Sequence, residues 1–572
     1  LALDWLDSAR YSDTNGYSID DHRDMWGWRD WVIHSFMENQ PYDEFITEQL
    51  AGDLIPNATP EQKMATGFLR NSMNTHEGGT IAEEYRVAYI ADKIDTVSST
   101  FMGLTMKCAQ CHDHKYDPIS QEDYYRFFAF FNSATENGQG AQNGNTAPVI
   151  KVTSPLHEIS GIEESLKQRA ARIKELRDEA GKTDSPLNKR LTKALGIELG
   201  IVEKQLKDSK QTTVMIMDSP GTRKTHILMR GEYNKPGEEV TAGVPRLFPQ
   251  LPEDAAADRL ALARWLTNDE HPLTARVAVN RYWQMIFGTG LVRTTEDFGS
   301  QGEWPSHPEL LDSLAVRFRE EGWNLRQLLK EIVLSETYRR RSEISPALLE
   351  TDPGNRLLAR APRVRLSAEL VRDNALAISG LLNPLLGGPS VYPEQPEGLW
   401  RQISHFGYGA FTAQAYFPDS GKETQRRSMY SFWKRTAPPP AMAIFDAPTR
   451  ETCTVRRMAT NTPLQALVLL NDPQYLKSAR ALARRMLSEG GASTGSRIAH
   501  AFRLATARSP SASELQILSR VHARELARFT QDPEAARSLL EASDLSQASA
   551  DLAAHTMVAS TILNLNETIT KQ

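Results

Sequence analysis

The residues of this chain best spaced for chemistry are Cys108-Ala109-Gln110-Cys111-His112, continuing as Asp113-His114-Lys115-Tyr116-Asp117-Pro118. A C-x-x-C-H run is the attachment signal for a c-type haem. On one helical turn Cys108 and Cys111 share a face and His112 projects beside them. Two thiols can then bond to the porphyrin edge while an imidazole nitrogen reaches the iron. Two other readings stay open: a zinc site made by the thiols with His114, and a plain reduced pair or redox disulfide. The one further cysteine is Cys453, so a four-thiolate zinc or iron–sulfur cluster within the chain is excluded. Cys453 itself reads as a buried thiol.

Elements on either side must position these residues. Upstream, Val87 to Leu104 reads as a largely apolar helix ending near Gly103. Downstream, Tyr124 to Phe131 is an aromatic helix able to wall a flat macrocycle, or to fill a core. The loop Leu69 to Gly79, turning at Gly78-Gly79, gathers polar and sulfur ligands before the first helix. His76 or Met73 is the candidate for the far side of the iron, with Met102 and Met106 as further ones. With none of them bound there, the iron would be open to small-molecule or substrate chemistry. Nearer the start, Asp13, Asn15 and Asp21 could offer oxygen ligands to calcium. The full twelve-residue calcium loop is absent, and a solvated loop is the competing reading.

Composition narrows the field. A chain of 572 residues implies several domains and ample core. Net charge is -6 with 24% charged residues, which argues against a nucleic-acid binder. No apolar run approaches the length of a transmembrane helix. Covalent haem attachment takes place outside the bacterial cytoplasm, so the periplasm or cell surface is the expected compartment. The chain opens on Leu1 inside a helical run, and we read it as N-terminally incomplete.

Several blocks carry a resemblance. They are Arg10 to Tyr17, Gln49 to Leu54, Glu77-Gly78-Gly79 and Cys108 to Ser120 in the first part. In the second part they are Asp297 to Gly302, Pro305 to Leu310, Gly387 to Ser390, Arg426 to Tyr430, Phe432 to Thr436 and Asn461 to Leu467. The chain resembles the large planctomycete cytochrome c-associated proteins, which are built from two adjoining domains of unknown function. The resemblance implies a first domain from Leu1 to about Ser133, lacking its usual N-terminal part, and a second running to about Tyr475.

The expected fold is mainly α and multi-domain, with a projecting helical hairpin and a small β unit. Residues 1–155 form a helical c-type haem domain and 156–210 an inserted hairpin. In the hairpin Ile159, Ile162, Leu166, Ile173 and Leu176 recur at three-and-four spacing, and Leu191, Leu195, Val202 and Leu206 resume it. Residues 211–252 hold the β unit and a Pro-rich linker, and 253–572 a helical C-terminal domain.

Arginines and aromatic rings concentrate in that last part, and Arg426, Arg427, Trp433, Arg435 and His405 are the candidate substrate-binding residues. Rings stack on sugars and guanidinium forks grip carboxylate or sulfate oxygens, so an anionic or sulfated glycan suits such a surface; helix-stitching arginines are the structural alternative. Two functions are consistent with these features, the first the leading reading and the second its alternative. One is an extracytoplasmic haem oxidoreductase acting on a carbohydrate, with electrons leaving through the haem to a partner such as another cytochrome. There His112 is the iron ligand, and His114, Tyr116, Glu77 and Glu84 are the candidates for moving a proton. The other is a non-catalytic electron-transfer or glycan- or partner-binding protein, its haem a relay or structural group.

Overall fold

The computed structural model describes residues 1–571 except 18, 142–143, 160, 220, 397–398, 401–415 and 542–548. The fold is mainly α, 53% helix against 5% strand, so helix packing rather than sheet pairing places the functional side chains.

The first part contains α1 (Ala2–Ser8), α2 (Trp26–Glu38), α3 (Tyr42–Ala51), α4 (Pro60–Ala65), α5 (Ala82–Val97) and α6 (Gln121–Asn132). Local signals set several of their ends. Thr59 and Ser120 open α4 and α6 in capping boxes closed by Gln62 and Asp123. Asn39 stops α2 in the left-handed conformation. The helix α5 runs on through a π-turn, Ser98–Met102, and ends at Gly103 with φ of 59°. The core between these helices is aromatic, with Trp5 stacked on Phe68 and Trp31 on Phe45.

The inserted hairpin is α7 (Ile162–Gly181) and α8 (Pro186–Lys207). Ile162, Leu166 and Ile173 pack on Leu195, Leu199 and Val202, as the heptad-like spacing requires. One charge breaks the pattern. Arg169 is buried, 2.9 Å from both Asp419 and Glu198, and its guanidinium lies 3.7 Å from the centre of the Tyr392 ring. It moors the hairpin to the C-terminal part.

Two strands close the base of the hairpin: β1 (Val149–Val152) pairs antiparallel with β2 (Thr212–Met215), Val149 opposite Met215 and Val152 opposite Thr212. The β unit expected over 211–252 is therefore two separate ribbons. The helical hairpin returns the chain beside the point it left, which makes β1 the nearest partner for β2. The second ribbon is β3 (Thr225–Leu228) with β4 (Pro236–Val240).

The expected boundary at residue 253 divides the chain but not the core. Four helices follow it: α9 (Arg259–Leu266), α10 (Thr274–Phe287), α11 (Pro308–Glu320) and α12 (Leu325–Leu334). They bury Leu262, Val279, Leu314 and Leu328 in the same cluster as Trp5 and Phe45. After α13 (Pro346–Thr351) a second core forms from α14 (Ala368–Ile378), α15 (Pro440–Ile444), α16 (Pro463–Asn471), α17 (Pro473–Glu489) and α18 (Thr494–Thr506). The helices α19 (Ala512–Gln531), α20 (Pro533–Leu540) and α21 (Ala550–Leu563) complete it.

The join between α9 and α10 carries a pH-sensitive group. His271 is buried between Phe248 and Trp265, and its Nδ1 accepts from Leu273 N, Thr274 N and Thr274 Oγ1. Burial lowers its pKa to about 4, whereas an unfolded histidine titrates near ~6.5. Between those values the unfolded chain holds a proton that the folded chain does not. Stability from this group is complete above ~6.5 and falls as pH drops towards 4, by about 3 kcal/mol in total. His271→Asn keeps an acceptor near the Nδ1 position. Urea midpoints at pH 7 and pH 4.5 are expected to fall less in this variant than in the wild type; equal falls would refute the assignment.

Candidate functional site

The loop from Gly103 to Ser120 carries the Cys-x-x-Cys-His residues on the outside of the molecule. Its start is fixed by close packing: a Cβ on Gly103 would come within 2.7 Å of the Phe298 ring, and Phe298 N donates to Gly103 O at 2.7 Å. Met106–Gln110 then forms a tight turn with three residues per repeat, which eclipses positions three apart. Met106 and Ala109 point into the core, while Cys108 and Cys111 are both exposed and unbridged. Gly231, at φ of 76°, closes the space beside Cys111; a Cβ there would stand 2.9 Å from its Sγ.

His112 is also exposed, and its Nδ1 lies 2.6 Å from Asp113 O. A carbonyl only accepts, so Nδ1 carries the proton and Nε2 keeps the lone pair. That is the tautomer a metal ligand needs, held by the kind of outer hydrogen bond that orients ligating imidazoles. The donor set therefore fits a covalently attached haem: two free thiols and one available imidazole nitrogen on the same exposed turn.

Below that turn the loop is tightly pinned. Tyr125 Oη and Gln121 Nε2 both donate to Gln110 O at 3.0 Å, and Gln121 N donates to Asp113 Oδ1 at 2.8 Å. His114 Nδ1 accepts from Asp117 N at 2.8 Å and from Tyr116 N at 3.3 Å. Its Nε2 must then be the protonated nitrogen, and it donates to Thr105 Oγ1 at 3.2 Å. Both nitrogens are committed to the turn, which leaves His114 neither a free base nor a zinc ligand beside the thiols. Asp117 Oδ1 in turn accepts from Ser300 N at 2.7 Å. The block Asp297 to Gly302 thus braces the motif from below.

The other expected partners lie elsewhere. The loop bearing Met73, His76 and Glu77 precedes α5, whereas the motif follows its far end, where Lys107 faces Asp95. The loop itself packs beside the middle of α5, where Thr75 N donates to Tyr89 Oη at 2.8 Å, and its side chains are engaged there. His76 Nε2 instead pairs with Asp21 at 3.1 Å, and the Met73 side chain lies against Gly16. Glu84 is exposed in the first turn of α5, at the end away from the motif. Met102 and Met106 are fully buried. On α6, Tyr124, Phe127, Phe128, Phe130 and Phe131 belong to the core, while Tyr125 reaches the motif through Gln110 O. Of the proposed proton carriers only Tyr116 stays on the motif's outer face, 52% exposed with the Lys115 ammonium 5.0 Å from its ring centre.

Most of the expected substrate-binding residues are struts between the two halves of the chain. Arg435 is buried and donates to four backbone carbonyls, those of Arg10, Thr14, Asn71 and Arg450, at 2.5 to 2.8 Å. Trp433 N donates to Asp13 Oδ2 at 2.8 Å, and Trp433 O accepts from Asp13 N and Ser12 Oγ. Asp13 Oδ1 accepts from Tyr11 Oη and Ser390 Oγ, so its two oxygens take three hydrogen bonds within the protein. Arg426 is buried too, bonded to Leu385 O and Gly387 O and stacked 4.3 Å from the Tyr430 ring centre. Arg427 is exposed, and His405 falls outside the described residues. Cys453 sits against Thr100 Oγ1, and burial pushes its thiol up to about 11.

Two arrangements escape a reading of the sequence. One is a cleft of about 310 Å³ beside the end of α10, with Trp283 and Phe287 on one side and Arg356, Arg360 and Arg363 on the other. Its other wall, Gly290 and Leu291, begins the loop that ends against Asp117. The other is a group of two histidines and an aspartate on α19 and α21.

Residues 1–136 match the family model described as PSCyt2, protein of unknown function (DUF1549), and residues 258–522 match PSD1, protein of unknown function (DUF1553). No curated protein and no solved structure matches the chain.

Proposed function

The chain belongs to the family that joins a DUF1549 domain to a DUF1553 domain, and on that premise we propose an extracytoplasmic c-type haem protein that relays electrons to a partner such as another cytochrome. One observation carries this: Cys108, Cys111 and His112 occupy a single exposed turn, the thiols free and the imidazole oriented by Asp113 O. Haem, once bound, supplies a one-electron couple. Cys108 and Cys111 would hold it through their sulfurs and His112 through Nε2. The braced loop beneath keeps those three groups from moving apart. Electron-transfer encounters use small surfaces, which suits a motif that faces solvent. The catalytic alternative is weaker here, because His114 is committed to the turn and Glu77 and Glu84 stand at the far end of α5.

A second reading, an oxidoreductase acting on a carbohydrate, draws on the arginine-lined cleft. Rings beside guanidinium groups suit an anionic or sulfated glycan.

The test is a visible spectrum of the chain exported in a strain that attaches haem c. A covalent c-type spectrum is expected, reduced by ascorbate, reoxidised by a small cytochrome c and indifferent to added glycans. Reduction by a sulfated or neutral glycan would overturn the relay in favour of the oxidoreductase. Absence of covalent haem would overturn both.

A further inference from the structure

Three ligand atoms converge where α19 crosses α21. His522 comes from α19, while Asp551 and His555 stand one turn apart on α21. His522 Nε2 lies 3.1 Å from Asp551 Oδ1 and 3.1 Å from His555 Nδ1, and the third edge, His555 Nδ1 to Asp551 Oδ1, is 3.2 Å. Both histidines are buried, and the Asp551 side chain is 41% exposed. Among the described residues this is the one such cluster of histidine, cysteine and acidic groups.

Without a metal, His555 Nδ1 donates to Asp551 O at 2.8 Å, but no placement of single protons satisfies the three edges of the triangle equally. A proton on His522 Nε2 alone leaves the His555 lone pair facing the carboxylate. A proton on His555 Nδ1 alone leaves the His522 lone pair facing it. Protons on both set two N–H groups against each other, and a proton on the carboxylate sets two lone pairs against each other. Each of these arrangements leaves one edge repulsive, whereas one cation in place of the protons makes all three edges attractive. The spacing agrees: a tetrahedral ion about 2.0–2.1 Å from its ligands holds them about 3.3 Å apart. A metal on His555 Nδ1 displaces the proton that this nitrogen donates to Asp551 O at 2.8 Å and moves it to Nε2, and Arg497 stands 3.7 Å from Asp551 Oδ2.

We propose that His522, Asp551 and His555 bind a divalent transition-metal ion of the zinc class, with the fourth position open to solvent past Asp551. Imidazole and carboxylate are ligands this class accepts. His555 Nε2 is buried without a hydrogen-bond partner, so the site lacks the outer bond that tunes catalytic metal centres. Its role is to staple α19 to α21. The DUF1553 match ends at residue 522, so two of the three ligands lie beyond it.

The probe is cobalt(II) chloride added to chelator-stripped full-length protein, read by its visible bands and by Tm. Because Cys108, Cys111 and His112 can also take a metal in haem-free protein, a Cys108→Ser/Cys111→Ser variant is titrated alongside. We expect one equivalent bound without a thiolate-to-cobalt band, a raised Tm, and the same result in the double serine variant. Asp551→Asn should melt like the wild type without metal and bind at least about tenfold more weakly. No binding by the wild type, binding lost with the two cysteines, or binding unchanged in Asp551→Asn would each overturn the proposal.

Discussion

A chain carrying Cys108→Ser and Cys111→Ser is expected to leave the export pathway with no covalent haem, where the wild type carries one per chain. Serine oxygens cannot form the sulfur bonds that hold the porphyrin edge. Both side chains are exposed, and surface changes of this kind usually shift stability by no more than about 0.5 kcal/mol. Haem staining after denaturing electrophoresis should therefore be blank while the melting curve of the haem-free chain stays in place. His112→Ala is the complementary variant: it keeps both sulfurs, so the stain should persist while the visible spectrum changes. Covalent haem surviving in the double serine variant would remove the basis for the relay.

Arg457→Ala is expected to destabilise the protein by about 3–5 kcal/mol, the range for removing one partner from a buried ion pair. Arg457 Nε lies 2.5 Å from Asp7, and its two terminal nitrogens lie 2.6 and 2.9 Å from Glu369. Arg450 completes the group, 3.3 Å from Asp7 and 3.6 Å from Glu369. Two positive and two negative charges balance in a largely buried group, in which only the Arg457 side chain keeps some exposure, 14%. Without Arg457, one guanidinium faces two buried carboxylates, and one of them must take up a proton or draw in solvent. Asp7 belongs to α1 and Glu369 to α14, so the loss is felt by both cores. Arg456→Ala is the control, because its pairing with Glu296 is exposed and should be worth no more than about 1 kcal/mol. Similar losses of urea midpoint in the two variants would show that the buried group adds nothing special.

The local features of this fold were legible in the sequence. Gly103 was readable as a helix end, because its missing Cβ serves both the left-handed turn and the approach of Phe298. The hairpin was readable because its apolar spacing is a property of each helix alone. The exposed Cys-x-x-Cys-His turn needed only residues that touch in sequence. Arg435, Trp433 and Arg426 were misread for a physical reason. An arginine that grips backbone carbonyls and one that grips a glycan have the same composition around them; burial separates them, and burial depends on contacts hundreds of residues away. The partner of β2 was hidden in the same way, since β1 lies on the far side of the hairpin. Within the metal cluster only the four-residue spacing of Asp551 and His555 on one helix face was visible, and His522 arrives from another helix.

The seam between the two halves also sets a timetable for making the protein. Asp13 and Trp433 are separated by 420 residues. At about 5–20 residues per second, roughly 20–80 s pass between the synthesis of one and the arrival of the other. Throughout that interval Asp13 lacks two of its donors, Ser390 Oγ and Trp433 N, and Asp7 lacks both its arginines. A newly made N-terminal half is therefore an unfinished surface, suited to capture by a holding chaperone until the loop segment bearing Trp433 and Arg435 is delivered.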